Sequence, residues 1–528
     1  MTEKRSILDI VKRLILAILT AGAIALVGLS LLESWNQPQI QSRLELYQTN
    51  LLLHAAEWQA ENSSSSNLTA ARTTLIGEEP FKAALKQYQE AQQSAKTSLD
   101  QKLQEVASPE SQQLNTKQLQ AEIDNLQRLS AELGVRSGLL QVQNGEIDRA
   151  LETWQDVIKR DSSKISTNTS AEISKVLVAL WSDPAQLLPK AQPQIQKHLD
   201  GWFRYKALSQ LYRLQERSEE LRSLQASEQI AAQKAIEKLA IVTGIPGVGF
   251  LIGIGILVFL GIQWLISFKQ SNRATPGNGP ILLRNGNLAW DTPWDGETVW
   301  QVLVLGFFFV GQILIPYFLL PLALAAFKLN PGVFDARTKA FYILASYVLL
   351  AAGGLSVLYL SIKPFFPLSE GWFRVKLGGN WFLWGLGGYF VALPLVILVS
   401  LINQQLWQGK GGSNPILPIA LESKDGVALA VFFATASIAA PVFEEIMFRG
   451  FLLPSLTRYL PVWGAIAASG FLFAIAHLNV SEVLPLATLG MVLGFVYTRS
   501  RNLLAPMLLH SLWNSGTLLS LFVLGSGS

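Results

Sequence analysis

With 528 residues, 50% of them hydrophobic and only 15% charged, the chain is too apolar for an ordinary soluble protein, in which about 25% of residues carry charge. A net charge of +4 is too small to mark a nucleic-acid surface, and the absence of cysteine excludes disulfides, thiolate metal sites and a cysteine nucleophile. The charge is also uneven, because residues 36–238 hold 48 of the 80 charged side chains, 23 basic and 25 acidic. This split predicts a near-neutral soluble domain inserted into a membrane protein with cationic loops.

In chain order, a span needs about 20 mainly apolar residues. The candidate runs are 14–32, 244–268, 299–325, 340–362, 381–402, 427–457, 462–479, 483–498 and 503–525, about nine transmembrane helices. The first follows Lys4, Arg5, Lys12 and Arg13 and ends in Leu31-Leu32-Glu33-Ser34-Trp35, a poor cleavage site. Residues 1–35 therefore read as a cytoplasmic tail and a retained signal-anchor helix. Alternating from there puts Lys269, Arg273, Arg284, Lys363, Arg374, Lys376, Arg458, Arg499 and Arg501 on the cytoplasmic side, against Lys328, Arg337, Lys339, Lys410 and Lys424 outside. Residues 36–238 and the C-terminus then lie on the non-cytoplasmic side. Residues 239–298 form the second span and a cytoplasmic loop. Trp381 and Trp384 fit interfacial positions, while Gly353-Gly354 and the glycines of 385–388 fit close helix packing.

Residues 36–238 show helical apolar spacing, as in Leu119-Ile123-Leu126-Leu129-Leu133, and few strand-like alternations. A helical extramembrane domain is expected. The spacing Gly138, Gly145, Ala150, Trp154 is similar to one tetratricopeptide unit, but no clean 34-residue echo follows. An irregular helical bundle is the plainer reading. Ser63 to Ser66 and Thr167 to Ser170 read as loops, and His54 and His198 as isolated surface or packing residues. A partner-docking or substrate-presenting role for this block is an expectation from its helical-repeat character.

The chemistry is expected at the other end. Residues 427–528 contain three acidic residues, Glu444, Glu445 and Glu482, together with His477 and His510, two of the four histidines in the protein. Charged residues inside spans cost about 2.5–3.5 kcal/mol each on insertion scales and are functional candidates by default. Glu445 and Arg449 are four apart and can pair on one helical face, which leaves Glu444 the freer carboxylate. With a turn at 458–461, Glu444 lies about 20 Å above it, and His477 about 22 Å up the return helix. His510 and Asn514 lie roughly 12 and 18 Å past the next turn, at 499–502. The spacing predicts one shared intramembrane cavity for these four groups.

Glu444-Glu445-x-x-x-Arg449, Phe473-x-x-x-His477 and His510-x-x-x-Asn514, in this order within apolar segments, resemble the three signature motifs of the CPBP family, also called Abi or CAAX-protease-like. The resemblance covers roughly 300–528 and is tightest over 427–514. It implies an all-α polytopic membrane protein with a CPBP-type helical core over 299–528 and an intramembrane glutamic-type endopeptidase activity. On that resemblance Glu444 would act as general base on a water held with His477, and His510 and Asn514 would face the oxyanion. Glu445 and Arg449 would orient the base and fix the helix. No cofactor is then required. The alternative is a divalent metal such as zinc on Glu444, His477 and His510, although the sequence lacks His-Glu-x-x-His.

The expected partners are a membrane-associated protein or peptide substrate, the lipid bilayer, and a protein bound by residues 36–238. No nucleic acid is expected. The alternative function is a non-catalytic scaffold, immunity or chaperone-like membrane protein in which the same polar groups only hold helices together. Retention of every motif position favours activity. The expected setting is a bacterial plasma membrane or a photosynthetic membrane.

Overall fold

The computed structural model describes residues 2–35, 41–59, 76–107, 116–161, 169–269, 281–407, 411–412 and 425–525. Ser63 to Ser66, Arg273, Lys410 and Lys424 lie outside the described residues. Among the described residues there are helices and turns but no strand, so the protein is all-α as the sequence predicts. The chain divides into two compact units, Met1–Gln39 with Pro246–Phe522, and Ile40–Ile245 with Val523–Ser528.

The second of these units is built from α2 (Gln41–Ala56), α3 (Pro80–Ala107), α4 (Thr116–Gln143), α5 (Ile147–Asp161), α6 (Thr169–Trp181), α7 (Ala191–His198), α8 (Gly201–Leu214) and the beginning of α9 (Ser218–Lys269). Helices α3 to α6 each pack on the next. Between α4 and α5 the backbone turns at Gly145, whose φ of 83° only glycine adopts without strain. Gly138 then lets the two helices close up, since a Cβ there would lie 2.2 Å from Nε1 of Trp154. That indole is fully buried and donates to the Val135 carbonyl at 3.0 Å. Around it Tyr88, Leu139, Leu177, Trp202, Phe203 and Leu211 form the core.

Two local expectations change here. Thr169 and Ser170 are not loop residues but open α6, because Ile173, Val176, Leu177 and Leu180 form a buried stripe that carries the preceding polar residues into its first turn. His54 is not isolated: its Nδ1 lies 2.6 Å from Glu228 Oε1, and burial makes such a partner necessary for both groups. His198 Nε2 stands 3.9 Å from the Glu172 carboxylate, and burial lowers its pKa. The last helix of the unit, α9, runs without a break past residue 238, with Pro246 inside it.

The other unit contains α1 (Thr2–Trp35), α10 (Gly296–Ala326), α11 (Ala336–Ile362), α12 (Trp381–Trp407), α13 (Gly426–Leu456), α14 (Val462–Ile475), α15 (Val483–Ser500) and α16 (Leu504–Gly525). By length and composition α1, α9, α10, α11, α12, α13 and α15 can cross a membrane. Of the nine segments expected, two stop short of that mark. The 14 residues of α14 rise only about 21 Å, and α16 is interrupted by His510, Ser511, Asn514 and Ser515. Three helices begin on an aspartate cap: Asp295 accepts from Thr298 N (3.1 Å), Asp335 from Thr338 N (2.8 Å) and Asp425 from Val427 N (2.8 Å).

Helix α1 is tied into this unit along its length. Lys12 and Arg13 pair with Glu297 at 3.1 and 2.9 Å, Trp300 Nε1 donates to Thr20 at 2.7 Å, and Trp35 meets Trp407 edge-on. Helices α14 and α15 touch backbone to backbone where Gly470 faces Gly490, since a Cβ on Gly470 would lie 2.9 Å from the Met491 nitrogen.

Candidate active site

Helix α13 carries Glu444 and Glu445 on an α-helical stretch, 440–445, between π-helical turns at 435–439 and 446–452. Such wide turns recur at functional sites and leave backbone groups to be satisfied by other means. Here the Ala440 N–H reaches back five residues to Thr435. The next donor in that pattern would be residue 441, which is proline and has no N–H. The Ala436 carbonyl is left without an intrahelical donor, and the Asn514 amide on α16 supplies one at 2.7 Å. Asn514 is thereby fixed in orientation and keeps its second N–H.

One turn on, Glu445 and Arg449 are both fully buried and pair at 2.8 Å, as their i, i+4 spacing predicts. Arg449 also donates to the Gly490 carbonyl at 3.1 Å, within reach because Gly470 and Gly490 bring α15 close. The same Glu445 oxygen lies 2.8 Å from His510 Nδ1. A carboxylate only accepts, so Nδ1 carries the proton, and the other ring nitrogen, Nε2, points away from this pair. Glu445 therefore orients His510, a link between residues 65 positions apart that helical spacing does not reveal. Phe473 fills the space between them: the Arg449 guanidinium lies 4.4 Å from its ring centroid, and the His477 and His510 rings meet it edge-on.

His477 lies in the turn just past the end of α14 rather than inside the helix. Its own N–H bonds to Ala474, which orphans the Phe473 carbonyl, and the imidazole Nδ1 takes that acceptor at 2.8 Å. The ring caps its own helix. Its Nδ1 must then be the protonated nitrogen, leaving Nε2 with a lone pair in the neutral ring.

Glu444 is the carboxylate left over. Its Oε1 accepts from the Tyr347 hydroxyl of α11 at 3.0 Å. Its Oε2 is buried, makes no hydrogen bond to protein and stands 3.9 Å from His510 Nε2. Glu444, His477, His510 and Asn514 line one cavity of about 410 Å³, which Phe307, Leu486 and Trp513 make largely apolar. Glu445 and Arg449 lie behind its wall. Glu482 and Tyr347 also reach the cavity, and neither is singled out by sequence reasoning as a site residue. Glu482 stands out only by the rarity of acids in this region, while Tyr347 in an apolar run is indistinguishable from a packing aromatic.

Among the described residues no three His, Asp or Glu side chains gather closely enough to hold an ion. Glu444 Oε1 is engaged by Tyr347, Glu445 by Arg449 and His510, and both histidines commit Nδ1, which leaves Glu444 Oε2 and the two Nε2 atoms toward the cavity.

Fold and site together define a polytopic α-helical membrane protein whose few ionisable groups converge on a cavity within the helical unit. Residues 426–516 match the family described as Type II CAAX prenyl endopeptidase Rce1-like. A stretch of 133 residues, 25% of the sequence, is 26% identical to a Bacillus subtilis (strain 168) protein named as a membrane peptidase, YdiL, and covers 53% of it. The match thus spans about half the length of that relative. No solved structure matches the protein. With the three motifs in order, residues 426–516 form a CPBP-family domain.

Proposed function

We propose that this protein is an intramembrane glutamic-type endopeptidase that hydrolyses a peptide bond of a membrane-associated protein or peptide. The observation that carries the reading is the convergence of Glu444, His477, His510 and Asn514 on one cavity, with an unpaired carboxylate oxygen facing an imidazole.

A water between Glu444 Oε2 and the histidines gives up a proton to the carboxylate, and its oxygen adds to the scissile carbonyl. The carbonyl electrons move onto oxygen, where the free N–H of Asn514 and the His510 ring face the developing charge. Preorganised donors of this kind contribute about 3–4 kcal/mol each. Glu445 holds the proton on His510 Nδ1, and His477 Nε2 accepts from the water. Collapse of the tetrahedral intermediate breaks the C–N bond, and the proton on Glu444 passes to the leaving amine. Tyr347 keeps the base in place by occupying its other oxygen.

In the same reading the N-terminus is cytoplasmic, residues 36–238 lie on the opposite side, and the membrane is a bacterial plasma membrane or a photosynthetic one. Comparative proteomics of membranes carrying the wild-type protein or Glu444→Ala tests the activity. An uncut precursor should accumulate with the variant. Full complementation by both Glu444→Ala and His477→Ala, with no precursor, would return the protein to the scaffold reading.

A further inference from the structure

The unit formed by residues 40–245 has a polar cavity of its own, about 250 Å³, which the activity proposed above does not use. One face of α8 supplies most of its wall: Tyr205, Lys206, Ser209, Gln210 and Arg213 follow helical spacing. The opposite face, with Ala207, Leu208 and Leu211, is packed into the core, as are Trp202 and Phe203 at the start of the helix. Helix α8 is therefore amphipathic toward a hollow rather than toward open surface. Gln143 closes one side, Trp181 another, and Glu57 contributes a carboxylate that already accepts from Trp202 Nε1 at 2.9 Å.

Lys206 is half-buried and bonded to the Gln143 side-chain oxygen, while Arg213 is exposed at the rim. Burial lowers the pKa of the Lys206 ammonium, Glu57 opposes this and Arg213 adds to it. A cation in that setting gains from an added anion. Two cations and one carboxylate leave the cavity one positive charge in excess, which a monoanion neutralises and a phosphate dianion overshoots against Glu57. The volume is about eight times the share of one liquid water, enough for a side chain or a terminal residue and too small for a folded domain.

We propose that this cavity binds a single carboxylate presented by a peptide, either its C-terminal carboxylate or that of an acidic side group, ion-paired by Lys206 and Arg213. Trp181 and Tyr205 pack on the adjoining residue, and the Gln143 and Gln210 amides take its backbone. The site is independent of the protease reading, so either stands if the other fails.

The test is fluorescence anisotropy on the full-length protein in detergent, with a fluorescein-labelled alanine–glutamate hexapeptide bearing a free C-terminus as the probe. Its C-terminal amide, its glutamine analogue and the amidated glutamine analogue complete the set. The fully charged peptide should bind and the fully uncharged one should not. The single-charge analogue that retains binding shows whether the terminus or the glutamate is the anchor. Lys206→Ala and Arg213→Ala should each weaken binding about tenfold or more. Arg213 is exposed, so its variant reads binding without a folding effect, and an unchanged melting temperature checks the Lys206 variant. Glu57→Gln keeps the Trp202 acceptor and should tighten binding by removing a like charge, a change of sign that a merely structural role would not produce. Equal binding of charged and uncharged peptides, no binding at millimolar concentration, or affinities untouched by the two cation variants would each overturn the proposal.

Discussion

Two adjacent glutamates allow an unusually direct separation of chemistry from structure. Glu445→Gln and Glu444→Gln are isosteric changes one residue apart, but the environments differ completely. Glu445 and Arg449 are both fully buried, and one carboxylate oxygen serves Arg449 and His510 at 2.8 Å each. Neutralising it strands a guanidinium in the bundle interior, and removing one member of a buried pair costs about 3–5 kcal/mol, or two to three and a half decades in the folding equilibrium. Glu444 has only the Tyr347 hydroxyl, which a glutamine oxygen still accepts. That change converts a charged hydrogen bond to a neutral one and costs about 1 kcal/mol. Its effect falls on turnover, where losing a general base costs about 10²- to 10⁴-fold. Thermal unfolding of the purified protein, alongside the accumulated precursor in membranes, reads both quantities. Glu444→Gln should melt near wild type with no cleavage, and Glu445→Gln should melt much earlier. Equal destabilisation by the two, or cleavage retained by Glu444→Gln, would refute the assignment of roles.

Tyr347→Phe leaves packing unchanged but frees Glu444 Oε1, and a lost bond to a charged group should lower turnover about 10- to 100-fold with little change in melting temperature. On the glutamate reading strong chelators should leave cleavage within about twofold of the untreated protein, since among the described residues no three His, Asp or Glu side chains gather closely enough to hold an ion; loss of activity restored by zinc would favour the metal alternative. The cysteine-free sequence makes topology accessible. Lys328→Cys and Lys363→Cys, both at exposed positions, should react with an impermeant maleimide in intact cells and only after permeabilisation, respectively; the reverse pattern would invert the orientation.

The helices themselves were legible because apolar runs are long and turns are charged, whereas the starts that the aspartate caps at 295, 335 and 425 fix were not read from the sequence. The site was legible to the extent that acids and histidines are rare inside such runs. The bond between Glu445 and His510 was not, because it joins α13 to α16, and helical periodicity relates a residue only to neighbours within its own turn or two. Tyr347 was hidden because its ring reads as core and only its hydroxyl has a role. His477 looked helical by spacing, yet the backbone turns there, with Leu478 at a φ of 60°, and the imidazole itself completes the helix end.

The π-turns of α13 leave no periodic trace in the sequence, but Pro441 is a visible cause of one consequence, since it denies Ala436 a donor that Asn514 then replaces. This coupling can be measured without any substrate. Asn514→Ala alone should orphan a carbonyl within the helical unit and cost about 1–3 kcal/mol. Pro441→Ala restores an N–H at 441 that can reach Ala436, so in that background the same Asn514→Ala change should cost much less. The double-mutant cycle should give a coupling of about 1 kcal/mol or more. Strict additivity would mean that Asn514 is not held by the carbonyl that proline leaves bare. A coupled result would show that the backbone defect positions Asn514, so that the same proline that interrupts α13 also aims an amide at the cavity.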